Sequence, residues 1–219
     1  MLLDTTPVAA LVTLTLLGYL FGSISSAILV CRLMRLPDPR SDGSRNPGTT
    51  NVLRIGGKKA AILTLAGDML KGVIPVWIAL ALSPEPLAWA LAGAAAFLGH
   101  LYPVFFRFQG GKGIATGLGV LLAWSWLAGL LTIATWLAVA AIFRYSSLAA
   151  LTAFLLAPIY IGSVTGSNAL TLTMGLITIL AYWRHRENIR NLLSGRENKL
   201  SREKPAPTET ADSADDSRS

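Results

Sequence analysis

The sequence predicts an all-α polytopic membrane protein of about seven transmembrane helices, with its N-terminus outside and its C-terminus in the cytoplasm. Three observations lead there. Of 219 residues, 53% are hydrophobic and only 14% charged, where a soluble domain carries roughly 25% charged residues. The apolar residues gather into runs near the ~20 residues that a spanning helix needs. The lysines and arginines gather between those runs, as cytoplasmic loops of membrane proteins do. So much apolar sequence excludes disorder over most of the length, and Cys31, the only cysteine, excludes a disulfide scaffold.

The runs follow in order. Residues 8–30 hold no charge, have no basic segment before them and exceed a signal core, so they are expected as an uncleaved anchor. Residues 60–82 form the second span, interrupted by Asp68 and Lys71, and 86–106 the third, carrying His100. Residues 113–143 are 31 without a charge; as one straight helix they would extend about 46 Å, against a hydrocarbon core of about 30 Å. Spans at 146–164 and 168–183 complete the set.

The basic residues decide how 113–143 is divided. Seven lie between Arg32 and Lys59, Arg107 and Lys112 lie in the next loop, Arg144 stands alone between two apolar runs, and eight follow from Arg184 onward. A break near Trp124–Trp126 puts all of these on one side and leaves Asp4 and Glu85 on the other. A single span would put Arg144 and the basic tail opposite the first two loops, against the positive-inside rule. The division predicts seven spans within a membrane domain of residues 1–200, the first half of the split run being short. Residues 201–219, rich in Pro, Ser, Thr, Asp and Glu, are expected as a disordered cytoplasmic tail. The net charge of +7 needs no nucleic acid partner, since a basic cytoplasmic face opposite the lipid bilayer accounts for it.

Three basic elements share the predicted cytoplasmic face. The loop 32–59 is dense in Gly, Ser, Thr, Asn and Arg; alone it reads first as a turn-rich connector and second as an anion site, with Arg54 suited to phosphate oxygens. Residues 108–116, Phe-Gln-Gly-Gly-Lys-Gly-Ile-Ala-Thr, place Gly110, Gly111 and Gly113 around Lys112 directly before a helix. That is an anion site by helix dipole or a flexible helix start; it lacks nucleotide-loop spacing. In 183–199, His185 and Asn188 are three apart and share a helical face, although composition alone reads this segment as a basic interfacial helix.

Asp68 and Lys71, three apart inside a span, are a functional candidate or a neutralising structural pair; His100 is expected as a hydrogen-bonded structural residue. There is no His-x4-Asp, no carboxylate cluster for Mg²⁺, no zinc spacing and no Gly-x-Ser-x-Gly elbow. A cofactor-free and metal-free enzyme handling phosphates with neutral and cationic groups fits what is left.

The motifs Gly22-Ser-Ile-Ser-Ser-Ala27, Gly43-Ser-Arg-Asn-Pro-Gly-Thr-Thr-Asn51 with Arg54, Gly99-His-Leu-Tyr-Pro103, Gly110-Gly-Lys-Gly-Ile-Ala-Thr116, and His185-x-x-Asn188 followed by Gly195 and Glu197, in this order, resemble the PlsY family of bacterial membrane acyltransferases. The resemblance runs from about Gly18 to Lys199. It implies transfer of a fatty acyl group from acyl phosphate to the 1-hydroxyl of glycerol 3-phosphate, giving lysophosphatidic acid and phosphate for phospholipid synthesis. It also implies a place in the bacterial inner membrane, an active site facing the cytoplasm, and a functional link to the enzyme that makes acyl phosphate. By position, Ser44, Lys112, His185 and Asn188 are expected as catalytic, and Arg54, Asn46, Thr50, Asn51, Gly110, Gly111 and Gly113 as phosphate-binding. Three departures stand out: Arg45 where the family usually has Gly, Thr49 for a usual Ala, and Gln109 for a common Lys. If position 45 needs φ > 0, an arginine there costs roughly 1–2 kcal/mol.

Overall fold

A computed structural model describes residues 6–200; the expected tail and Asp4 lie outside them. Among the described residues there are nine α-helices and no strand. They are α1 (Val8–Gly22), α2 (Ser26–Leu33), α3 (Thr49–Leu82), α4 (Pro86–Leu101), α5 (Ile114–Trp124), α6 (Trp126–Phe143), α7 (Ser146–Thr165), α8 (Asn168–Arg184) and α9 (Arg186–Leu193). A 3-10 turn at Val104–Phe106 finishes the segment expected at 86–106.

The long uncharged run is broken. Ser125 is extended (φ −159°, ψ 113°) between α5 and α6, and its hydroxyl accepts from the amide of Ala128 as an N-cap. By length and composition, five segments among the described residues can cross a bilayer: Val8–Leu33, Thr49–Leu82, Pro86–Phe106, Trp126–Phe143 and Ser146–Thr165. With 11 residues, α5 extends only about 16 Å, and α8 has 17 residues. Large apolar side chains such as Leu63, Trp77, Leu155, Leu172 and Ile179 are exposed on the outside, where lipid tails would meet them.

Two expected spans differ from the reading of the sequence. The run 8–30 is two helices, interrupted at Ser23–Ser25. The interruption frees backbone groups that hydrocarbon cannot satisfy, and the protein satisfies them internally: Lys71 Nζ donates to the Ile24 carbonyl at 2.7 Å. The second span begins at Thr49 rather than at 60, and it kinks at Gly57 (φ 72°, ψ −173°).

Small residues let the helices approach closely, as packing in membranes requires. Gly18 and Gly22 of α1 lie on the backbone of Ala92 and Ala96 of α4; a Cβ at Gly22 would come within 2.0 Å of the Ala96 oxygen. On the far side of α4, Phe97 and Leu101 join Leu121, Phe154, Met174 and Ile177 in the main core. The chain returns repeatedly to one end of this bundle. There the loop 34–48, the loop 102–113, the α6–α7 turn at Arg144 and residues 184–200 come together. Thr6, Ser83 and Glu85 meet at the other end.

Candidate active site

The first loop is built around Asn51. Its side chain is 1% exposed. Its Oδ1 accepts from the Ser44 amide at 2.8 Å, and its Nδ2 donates to the carbonyls of Pro39 (2.9 Å) and Asp42 (3.0 Å). Both amide hydrogens of Asn51, expected on phosphate, are committed here to the loop backbone, which they shape. A buried amide needs these bonds. Gly43 (φ 59°) and Arg45 (φ 57°) both take the left-handed conformation, so arginine does occupy a position that favours glycine. The Thr49 hydroxyl is buried without a hydrogen-bond partner. Ser44 and Arg54 are exposed, and Asn46 is half-buried beside Gly48. Thr50 Oγ1 lies 3.3 Å from Ser146 Oγ at the start of α7.

In the second loop the glycines serve close approach. The Gly111 amide donates to the His100 carbonyl at 3.2 Å, and a Cβ at Gly111 would fall 2.4 Å from His100 Nε2. The carbonyls of Gly110 and Gly111 accept from Arg184 Nη2 (2.7 Å) and Nε (3.0 Å). The Gly111 N–H, expected on phosphate, is thus paired with the His100 carbonyl. Gly113 takes φ 84° directly before α5, with Phe97 filling the space a side chain would need.

This loop presents Lys112 to the third element. Lys112 Nζ donates to Asn188 Oδ1. Asn188 Nδ2 donates to Glu197 Oε1 at 2.7 Å, and Ser147 Oγ donates to the same oxygen at 2.6 Å. The ammonium thus rests on a neutral amide, with the carboxylate one link behind. Burial pushes the Lys112 ammonium below the usual lysine range; Glu197 and Glu187 pull it back up, and Arg184 and Arg54 push it down. The influence of Arg54 ties the first loop electrostatically to the second.

His185 follows α8 directly and is 4% exposed. Burial is the main cause that pushes its imidazole down to about 4, so the ring is neutral near pH 7. Its Nδ1–H donates to the Ala181 carbonyl at 2.7 Å, a pairing that assigns the tautomer and leaves the Nε2 lone pair as the acceptor.

Behind the glycine loop, inside the bundle, sits the intramembrane polar group. Asp68 Oδ1 is 2.9 Å from Lys71 Nζ and 3.8 Å from His100 Nδ1, and Thr116 Oγ1 is 3.1 Å from the same imidazole nitrogen. All four are buried. His100 therefore holds the loop from behind by its carbonyl.

The three segments around Lys112 come from distant sequence, and the structure brings Lys112, Asn188, His185 and Arg54 to one end of the bundle. Ser147, Glu197 and Arg184 were not singled out as site residues. Glu197 carries a readable sign, since it follows the Gly195 turn (φ 68°) that returns the chain to Asn188. Arg184 had only its position beside His185, and Ser147 had none.

Comparison with known proteins shows the family. A family model described as glycerol-3-phosphate acyltransferase matches residues 12–195. The chain is 58% identical to the glycerol-3-phosphate acyltransferase of Halorhodospira halophila, over 86% of this chain and 96% of the relative. It is 55% identical to that of Methylococcus capsulatus, over 84% and 92%. It is also similar to crystal structures of PlsY, an integral membrane glycerol 3-phosphate acyltransferase. The glycerol 3-phosphate form gives a TM-score of 0.83 at 39% identity, covering 87% of this chain and 96% of the other. The lysophosphatidic acid form gives 0.80 at 38%, covering 86% and 94%.

Proposed function

The chain belongs to the glycerol-3-phosphate acyltransferase family, and on that premise we propose that it acylates the 1-hydroxyl of glycerol 3-phosphate using acyl phosphate as donor. The products are lysophosphatidic acid and inorganic phosphate, for phospholipid synthesis, and a separate enzyme supplies the acyl phosphate. The observation that carries this reading is the Lys112–Asn188–Glu197 chain, in which a cation is held in place but not neutralised by direct contact.

Both substrates are phosphate anions, and the site offers two cationic arms. Lys112 takes one phosphate; Arg54, with Ser44, Asn46 and Thr50 beside it, takes the other. The substrate hydroxyl oxygen attacks the acyl carbonyl carbon. A new C–O bond forms and the C–O bond to phosphate breaks, with the electron pair leaving on phosphate. Donors at the developing oxyanion stabilise the transition state. The hydroxyl proton passes to a substrate phosphate, with His185 Nε2 as the alternative acceptor. Phosphate is a good leaving group, so no strong general acid is needed.

The same reading has seven spans, with α5 penetrating only partly, and residues 1–200 as one membrane domain. The N-terminus lies outside and the site faces the cytoplasm of a bacterial inner membrane. The clustering of the basic loops at one bundle end supports this.

Purified protein in lipid nanodiscs, given glycerol 3-phosphate with acyl phosphate, acyl-CoA or acyl carrier protein, tests the donor. Phosphate release is expected with acyl phosphate only. Activity confined to a thioester donor would reject the donor while leaving the acyltransferase.

A further inference from the structure

A cavity of about 330 Å³, with Gly110 in its wall, opens at the same bundle end. Arg40, Arg45 and Arg184 line it, with Gln109 and Phe108. Lys112, Asn188 and His185 are not among its walls.

Two of the three guanidinium groups are oriented in advance. Arg40 is held by Asp38, with Nε 3.0 Å from Oδ1 and Nη2 2.7 Å from Oδ2. Arg184 is held by the two glycine carbonyls and lies over the Tyr102 ring at 5.5 Å to the centroid. Those carbonyls are neutral acceptors, so the charge of Arg184 is fixed in place without an ion-pair partner. The guanidinium of Arg45 has no hydrogen bond or ion pair among the described residues. Three cations thus face the cavity with the single carboxylate of Asp38 among them.

Arg45 adds a second, independent observation. Its φ of 57° lies in the left-handed region that L side chains rarely adopt, and no side-chain hydrogen bond or ion pair among the described residues offsets it. Strain retained without an internal partner marks functional positions. Phe108, the neighbouring wall, is also left-handed at φ 58°. A planar fork matches phosphate oxygens bidentately, and Gln109 adds a neutral amide donor.

We propose that Arg40, Arg45 and Arg184 form a further anion site that binds a phosphate group, beyond the two substrate-phosphate sites at Lys112 and Arg54, none of whose side chains line this cavity. The chemistry is the same whether that group is free inorganic phosphate or the headgroup of an anionic lipid reaching past exposed Phe108. The site would hold phosphate at the cytoplasmic mouth without taking part in bond making.

Arginine labelling by phenylglyoxal, mapped by mass spectrometry on the full-length protein in nanodiscs, tests this without reading turnover. One arm adds millimolar inorganic phosphate to phosphatidylcholine discs, against chloride at equal ionic strength. The other uses phosphatidylglycerol discs without phosphate. Labelling of Arg45 and Arg184 is expected to slow several-fold in at least one arm, and which arm identifies the source. Equal labelling in every arm, or protection matched by chloride, overturns the site. In Lys112→Ala the protection is expected to persist; its loss would merge the cavity with the Lys112 cluster and overturn a separate site. In Arg45→Gly, where the strain is relieved, turnover is expected to remain and the protection of Arg184 to weaken. Undiminished protection of Arg184 would remove Arg45 from the site and overturn the proposal as stated.

Discussion

Two lysines in this protein are bound in opposite ways. Lys71, deep in the bundle, lies 2.9 Å from the Asp68 carboxylate and donates to the Ile24 carbonyl freed by the break in the first span. Its charge is neutralised where it stands, and its hydrogens repair a broken backbone. Lys112, at the end of the bundle, meets a neutral amide, and Glu197 touches only the far side of that amide. A directly paired buried cation is architecture; a cation steadied through a neutral spacer keeps its field for a ligand. The Asp68–Lys71 pair links α3 to the α1–α2 break and reaches His100, which in turn carries the glycine loop, as its structural reading expects.

The largest effect expected on this contrast is at Lys71. Lys71→Met leaves Asp68 buried beside a neutral side chain and the Ile24 carbonyl unpaired, so thermal unfolding in detergent should register a loss of ~3–5 kcal/mol. A wild-type midpoint would mean that the pair does not support the fold. Next in size is Glu197→Gln. It removes the carboxylate behind Asn188 and leaves Ser147 and Asn188 without their ionic acceptor. We expect kcat/KM to fall about 10–100-fold, as losses of groups that orient direct ligands commonly do, with insertion into the membrane retained. Unaltered kinetics would detach Glu197 from the site.

Acid acts separately, on His185. Its folded pKa is lowered from the ordinary 6.5 to about 4, chiefly by burial. The unfolded chain therefore takes up this proton first. The His185 contribution to stability is complete above about pH 6.5 and is lost as the pH falls toward about 4. Melting curves across that window should flatten in a His185→Gln protein; parallel curves would mean that the imidazole is not buried neutral. Smallest is Arg45→Gly, expected to stabilise by no more than roughly 1 kcal/mol. Relief of the left-handed strain is partly offset by the greater freedom of glycine in the unfolded chain. A lower melting midpoint would mean that Arg45 makes a contact that outweighs its strain.

Much of this architecture was written in charge. The break at Ser125 follows from the placement of Arg144, because only two helices there keep the basic loops together. The Asp68–Lys71 pairing follows from i,i+3 spacing. The break at Ser23–Ser25 did not follow: the run is apolar and uncharged, and its cause lies in the Gly18 and Gly22 packing on α4 and in a lysine 47 positions away. At the site, the left-handed position of Arg45 was legible from the glycine it replaces. The inward commitment of Asn51 was not, since a loop asparagine looks the same in sequence whether its amide faces a ligand or the loop's own carbonyls. The Lys112–Asn188 contact spans 76 positions, beyond any local periodicity; the resemblance named both residues but did not pair them.

The contrast between the two lysines rests most directly on Lys112→Ala. Phosphate release from acyl phosphate and glycerol 3-phosphate should be measured in nanodiscs on protein whose melting midpoint has been determined alongside. The account predicts a midpoint near wild type and turnover reduced by about 10²–10³-fold, the scale of losing one charge-stabilising donor. Wild-type turnover in that well-folded variant would contradict it, because the unneutralised cation at the bundle end would then have no part in the reaction.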